Sequence, residues 1–345
     1  MSKPPGRRKG RSVWLGKEPP DHLIEHQETV RFPVRADTAG MRLDLFLKMR
    51  LPWRSRESVH RVLRERDIRV SGARRRASYR LKDGEVVTVP NPPPPEDPSV
   101  IHDVALHIVY EDEDLVVLNK QPDVVVHPVG KHRYGTLINA LHLRYRRPDD
   151  PANDIQPKLG HRLDKETTGV LIVCKSDAAR RSVAAQFEKN TVTKEYVALV
   201  EGRVATPEGV IEGALGPDPD SDIKMKQCVR ADGSPASTRF EVVERRRDIT
   251  LVRAIPRTGR QHQIRVHLKS IGHPILCDKL YGLRETLRRS EVRDLGEGEI
   301  DRVLIDRQAL HAHRATLLHP ATGREVTFET ELPEDMATVL AEARR

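Results

Sequence analysis

The chain has 345 residues, 37% of them hydrophobic, a formal charge of +9 and three cysteines; this length suggests two or so domains at roughly 100–200 residues each. No apolar run approaches the ~18 residues of a membrane helix, and the basic N-terminus lacks the apolar stretch of a secretory signal. Cys174, Cys228 and Cys277 are scattered without a C-x-x-C spacing, which supports neither a disulfide framework nor a zinc site. A cytoplasmic, monomeric protein with no membrane association is the expectation.

Residues 1–30 are rich in Lys, Arg, Gly and Pro and poor in apolar residues, the composition of a disordered tail. Residues 1–17 alone carry six Lys/Arg and no acid. Order is expected to begin near "RFPVRA". The stretch "MRLDLFLKMR" places Leu43, Phe46 and Leu47 at helical spacing. "SRESVHRVLRERD" repeats the pattern with Val59, Val62 and Leu63 behind Ser55, an N-cap candidate. Its opposite face carries Arg56, Arg61 and Arg64, candidate RNA contacts. "DIRVSG" reads as a short strand into a turn, and "YRLKDGEVVTVP" as strand, turn and strand. Residues 41–90 hold fourteen Lys/Arg against six Asp/Glu. Positive charge focused in one small module is the footprint of a polyanion partner. Through "RLDLFL", the "SR…V…VLRE" pattern and "GEVVTV", residues 31–90 resemble the αL-type RNA-binding fold of a small-subunit ribosomal protein. "PNPPPPEDP" then predicts a stiff polyproline spacer over 91–100, a domain boundary.

Residues 101–340 mix strands and helices without βα alternation, which predicts an α+β fold with a mixed or antiparallel sheet. "DLVVLNK", "GVLIVCK", "KEYVALVEG", "TLVRAIP" and "REVTFET" read as strands, and "TLINALHLRY" and "DAARRSVAAQFEKN" as helices. No phosphate loop or dinucleotide fingerprint is present, so no cofactor is expected. Residues 284–308 are highly charged and read as a surface insertion.

Three stretches carry chemistry: "GHRLDKETTG" at 160–169, "KEYVALV" at 194–200 and "RTGRQHQIRVHLKSIGHPILCDKLYG" at 257–282. In this order, with "YEDEDLVVLNK", "GTLINAL" and "RQALHAHR", they resemble the RluA family of pseudouridine synthases over nearly all of 101–340. The resemblance implies an enzyme that isomerises uridine in RNA, with large-subunit ribosomal RNA or a ribosome precursor as the expected target. It implies Asp164 as the essential aspartate, Tyr196 as the active-site tyrosine and Arg265 as the partner of that aspartate. Arg162 matches an arginine that fills the gap left by a flipped base. Arg162 and His161 are expected on the RNA side, and a structural part for His161 is favoured over one as a proton shuttle.

The residue chemistry points the same way. Breaking an N-glycosidic bond, turning the uracil and joining C5 to the sugar loses no atoms and exchanges no electrons. It asks for an ionised carboxylate as nucleophile or base, a guanidinium to keep that charge and fix its geometry, and an aromatic face with a phenol. Flipping a base out of folded RNA costs a few kcal/mol. His262 and His267 stand five apart, but no carboxylate or cysteine completes a metal set, and a metal-dependent hydrolase is disfavoured. Gly259 is read as a turn glycine. The sequence departs from the family in "NKQPDVVVHP", where Gln121 displaces a proline and Asp123 stands where glycine is usual, and in Gly160 directly before His161. The alternatives are a non-catalytic RNA-binding assembly factor on the same scaffold, and a synthase acting on tRNA.

Overall fold

The computed structural model describes residues 29–50, 63, 68–90, 104–128, 135–147, 150, 153–221, 223 and 225–343. The chain divides into two compact units, Met1–Asp97 and Pro98–Arg345. Most of the expected basic tail, the helix expected to carry Arg56, Arg61 and Arg64, and the proline spacer lie outside the described residues.

In the first unit, β1 (Thr29–Pro33), β2 (Arg69–Val70) and β3 (Val86–Pro90) form an antiparallel sheet in the order β1-β3-β2. The helix α1 (Leu43–Arg50) puts Leu43, Phe46 and Leu47, at the predicted spacing, into a core with Phe32, Val34, Ile68, Val70, Leu81, Val87 and Val89. Asp44 in its first turn and Lys48 and Arg50 in its last suit the helix dipole. The strand expected at 79–81 does not form. The Gly40 N–H donates to the Leu81 carbonyl and the Leu81 N–H to the Met41 carbonyl, so this segment docks on the chain entering α1. β3 takes β1 and β2 as partners instead.

The second unit is built on a ten-stranded sheet among the described residues. Its principal order is β4 (Ile108–Glu111), β5 (Leu115–Lys120), β7 (Thr168–Cys174), β16 (Leu310–Leu318), β8 (Thr193–Glu201), β13 (Ile249–Pro256), β12 (Ser237–Arg245) and β9 (Glu208–Glu212). β6 (Lys158–Leu159) adds to β7 and β17 (Glu325–Glu329) to β16, while β10 (Leu215–Pro217) and β11 (Gln227–Val229) pair in a separate two-stranded sheet. Alternate residues of β5 and β7 feed opposite faces. Leu115, Val117, Val170, Ile172 and Cys174 meet Ala179 and Val183 of helix α3 (Asp177–Glu188). Val116, Leu118, Leu171 and Val173 meet Leu137, Leu141 and Tyr145 of helix α2 (Leu137–Tyr145). Both faces are covered, which is why "VLIVC" is an unbroken apolar run.

All pairings in the large sheet are antiparallel except β7 with β16, which run parallel for two residue pairs, Thr168–His311 and Gly169–Ala312. The strands then part, β6 pairing with the far end of β7 and β17 with that of β16. Gly169 makes this fork possible. Its φ is +107°, and a Cβ would stand 2.2 Å from the Ala312 carbonyl oxygen, an approach that only glycine allows. One lateral row crosses the sheet at the fork: Ala254, Tyr196, Ala312, Gly169 and Lys120, on five successive strands. Between Tyr196 and Lys120 the row carries only a methyl group and a hydrogen.

Residues 284–308 are not a detached surface insertion. Leu287 of β14 (Leu287–Arg288) and Leu304 and Ile305 of β15 (Val303–Ile305) are buried in the main core with Met336, Val339 and Leu340 of helix α5 (Glu334–Glu342). The charges pair among themselves and with neighbours. Arg293 bonds Glu299 and Glu342, Arg284 bonds Glu201 and Arg288 bonds Asp301. High charge density here reflects an ion-pair network over an apolar underside.

Candidate active site

Asp164 sits in the loop 160–167 that joins β6 to β7, and its side chain remains one-third exposed. Four side chains hold this loop by its backbone and neighbours. The Lys120 ammonium, buried at the end of β5, donates to the carbonyls of Gln121, Lys165 and Thr167 at 2.9, 2.7 and 2.9 Å. Arg307 donates to the Glu166 carbonyl at 3.3 Å while held by both oxygens of Asp335. The Gln308 amide donates to the Thr167 hydroxyl at 2.6 Å. Lys279 pairs with Glu166 at 2.6 Å. Burial pulls the Lys120 amine down to about 7, with the charge of Asp164 acting in the opposite direction.

The second component comes from helix α4 (Gln263–Ser270). Arg265 reaches Asp164 with one terminal nitrogen, 2.7 Å from Oδ2. Its other two nitrogens clamp Asp278, at 2.6 and 2.7 Å. The Asp278 side chain is fully buried, and its Oδ1 also accepts the backbone N–H groups of Leu280 and Tyr281. The Tyr281 ring lies under the guanidinium, 5.0 Å from centroid to Cζ. Burial opposes the charge of Arg265, but bonding to Asp278 and the charges of Asp278 and Asp164 outweigh it and raise its pKa. One guanidinium thus serves two carboxylates. The buried one takes the bidentate geometry, and the partly open one takes a single bond. Asp164 is thus held in place by one bond to Oδ2, and its Oδ1 is left free of Arg265.

Tyr196 reaches the site from β8, half-buried, in the cross-sheet row at the fork. Burial, and after it the charge of Asp164, raises the phenol pKa above its ordinary value. The hydroxyl therefore stays protonated at neutral pH and has no hydrogen-bond partner among the described residues. That combination provides an aromatic face and a protonated phenol within electrostatic reach of Asp164.

The structure thus brings together Asp164, Arg265 and Tyr196. Arg162 is exposed, and its charge reaches His127. It has no ion-pair partner among the described residues, so its guanidinium is free to meet a phosphate or a base. His161 does not behave as an RNA contact. Its Nε2 accepts the Ile172 N–H at 3.0 Å, and its ring stacks on Phe187 at 4.7 Å. Burial takes its pKa down to about 4, so the ring is neutral and ties the loop to β7.

The departures from the family pattern have local explanations. Asp123 adopts φ +60°, the left-handed conformation a glycine would supply, which aspartate tolerates better than most residues. At Gly160 a Cβ would stand 2.9 Å from a Val183 methyl and 3.0 Å from the Ile172 carbonyl oxygen, so the close packing of the loop on β7 and α3 favours glycine. Gly259 is not a turn glycine: its φ is not positive, and a Cβ would meet only Lys194 Nζ, 3.9 Å away. The left-handed residue of that loop is His262, at φ +54°. His262 and His267 do not converge. His267 bonds the Thr238 hydroxyl and the Gly213 carbonyl, and His262 bonds Tyr281. Asp278, Lys120 and Tyr281 lie inside stretches whose pattern is that of a motif or a strand. A buried carboxylate next to a motif gives no period or spacing by which to find it.

The chain matches the family model for RNA pseudouridylate synthase over residues 114–270. It is 36% identical to an uncharacterized RNA pseudouridine synthase of Bacillus subtilis, covering 88% of this chain and 94% of that one. It is 35% identical to the ribosomal large subunit pseudouridine synthase D of Nitrosomonas europaea, covering 93% of this chain and 89% of that one. Among solved structures, human RNA pseudouridylate synthase domain containing 4 superposes with a TM-score of 0.53 at 25% identity, covering 69% of this chain and 93% of that one. Human RNA pseudouridylate synthase domain containing 1 gives 0.51 at 26%, with 72% and 97% covered.

Proposed function

Since this chain belongs to the RluA family of pseudouridine synthases and isomerises uridine to pseudouridine in RNA, we propose that its substrate is large-subunit ribosomal RNA and that Asp164, Tyr196 and Arg265 carry the reaction. The observation behind this reading is the chain Asp164–Arg265–Asp278, in which a guanidinium anchored on a buried carboxylate bonds one oxygen of the partly exposed Asp164, beside a protonated phenol. Asp164 is the nucleophile or base, and Arg265 fixes its plane. Tyr196 stacks on the uracil and supplies or takes a proton. Arg162 meets the RNA at the open side. The ribosomal assignment draws on relatives whose names include that substrate. Among the described residues no helix is long and apolar enough to cross a membrane. Pseudouridine mapping of total RNA with and without the protein tests the assignment. Loss of one or a few large-subunit sites is expected, and loss confined to tRNA would overturn the ribosomal target.

Tyr196→Phe separates two uses of the ring. Phenylalanine keeps the stacking face and removes only the hydroxyl. Turnover is expected to fall by about 100-fold or more, while RNA affinity changes by less than about threefold. Single-turnover rates and filter binding measure the two; equal rates would make Tyr196 a platform only.

Residues 1–90 are read as the RNA-anchoring part. Residues 91–345 hold 38 Lys/Arg against 40 Asp/Glu, so the excess positive charge lies before them. Arg56, Arg61 and Arg64 belong to this reading, although they lie outside the described residues. Phosphate contacts release counterions, so affinity falls with salt in proportion to their number. A chain starting at Val100 is expected to keep activity on a short hairpin. On large ribosomal RNA it should bind at least tenfold more weakly at low salt, with a shallower salt slope. Identical slopes for the two chains would assign the basic module to another partner.

A further inference from the structure

His262 takes no part in the roles assigned above. Its side chain is 6% exposed, and its left-handed backbone aims the ring between Tyr281 and Asp164. Nδ1 lies 2.8 Å from the Tyr281 hydroxyl, and Nε2 lies 3.9 Å from Asp164 Oδ1, the oxygen that Arg265 leaves free. The network fixes the tautomer. The Tyr281 oxygen already accepts the Gln227 N–H at 2.8 Å, and the one acceptor for its own proton among the described residues is His262 Nδ1. Nδ1 therefore accepts, and the neutral ring carries its proton on Nε2. The charged groups facing the ring are Asp164 from the loop before β7, Arg265 from α4 and Asp278 from the segment after it. Burial lowers the imidazole pKa, outweighing the opposite pull of Asp164, so the ring is neutral at pH 7.

We propose that His262 is a positioning residue for the isomerisation, a neutral Nε2–H donor to Asp164 Oδ1 whose tautomer is set by Tyr281 and the Gln227 backbone. This rests on the reading of Asp164 as the reacting carboxylate. At 3.9 Å the donor is beyond hydrogen-bond distance in the free protein, and such contacts commonly close when substrate fills the site. Arg265 and His262 then grip opposite oxygens of one carboxylate. The plane of Asp164 is fixed, and charge returning to it in the reaction meets a donor already in place. Strain at a left-handed non-glycine residue is a cost that a site can retain for such placement.

The test compares His262→Gln, whose amide N–H can replace Nε2–H, with His262→Phe, which keeps ring volume and cannot donate. Both share the strained backbone, so its cost cancels. His262→Phe should lose about 10- to 100-fold in kcat with KM changed less than threefold, and His262→Gln should regain at least half of that loss on a logarithmic scale. Protein labelled with 15N-histidine at pH 7.5 should show the His262 resonances, assigned by their absence from His262→Gln, as the Nε2–H tautomer. In Tyr281→Phe that signature should give way to a mixture. Equal loss in Phe and Gln variants, a loss confined to KM, or an Nδ1–H tautomer in the wild type would overturn the proposal. Full activity of Asp164→Asn would instead overturn the reading beneath it, independently of the His262 results.

Discussion

Asp164→Asn is expected to abolish turnover, by about 10³-fold or more, while RNA affinity stays within about tenfold. Asparagine matches aspartate in size and can still face Arg265, but it can act neither as nucleophile nor as base. The loop should keep its shape, because its anchors are backbone carbonyls bound by Lys120 and Arg307 and not the Asp164 carboxylate. Single-turnover pseudouridine formation and a binding isotherm on the same RNA read both quantities. Comparable turnover in the two proteins would remove Asp164 from the chemistry.

Arg265→Met should be nearly as severe for activity and, unlike Asp164→Asn, should also destabilise the fold. Removing the guanidinium frees Asp164 and strands Asp278, whose side chain is fully buried and would keep only two backbone donors. Breaking a buried pair by deleting one partner costs about 3–5 kcal/mol, so chemical denaturation should show a loss of that size. Arg265→Lys should recover part of the activity through charge, without the three-way grip. Combining Arg265→Met with Asp278→Leu should restore much of the stability and none of the activity. A double variant as unstable as Arg265→Met would show that the buried charge is not the cause.

The elements that were legible in the sequence are those with strong period or composition. β5, β7, β8 and β13 are β-branched apolar runs, and α2 and α3 have helical spacing with Thr136 and Ser176 before them. Asp164 and Arg265 could be singled out because each sits in a dense, unusual string. Their shared partner Asp278 could not, since the link is a tertiary contact between a helix and the turn after it. Lys120 reads as the polar end of a strand until its ammonium is seen holding two carbonyls more than forty residues away. The segment at 79–81 has strand composition, but its backbone groups found partners in the chain entering α1. Gly259 and His262 show a related limit. Residue type suggested the glycine as the turn position, and the left-handed residue of the loop is instead His262, three residues later, whose ring bonds Tyr281.

The clamp on the Asp164 loop also has a consequence for the order of events during synthesis. Arg307 and Gln308 hold Glu166 and Thr167 across 141 residues of chain, and the β7–β16 fork joins strands 143 residues apart. Contacts of such separation form late, because the long loop must close before they contribute anything. A nascent chain that has emerged only to residue 300 already contains Asp164, Tyr196, Arg265 and Asp278, yet lacks the strand that seats the loop. The frame of the Asp164 loop is therefore complete only once residues 307–312 are in place. A partial copy still tethered to a ribosome, surrounded by the very class of RNA proposed as substrate, carries the residues proposed to react and not the frame that seats them.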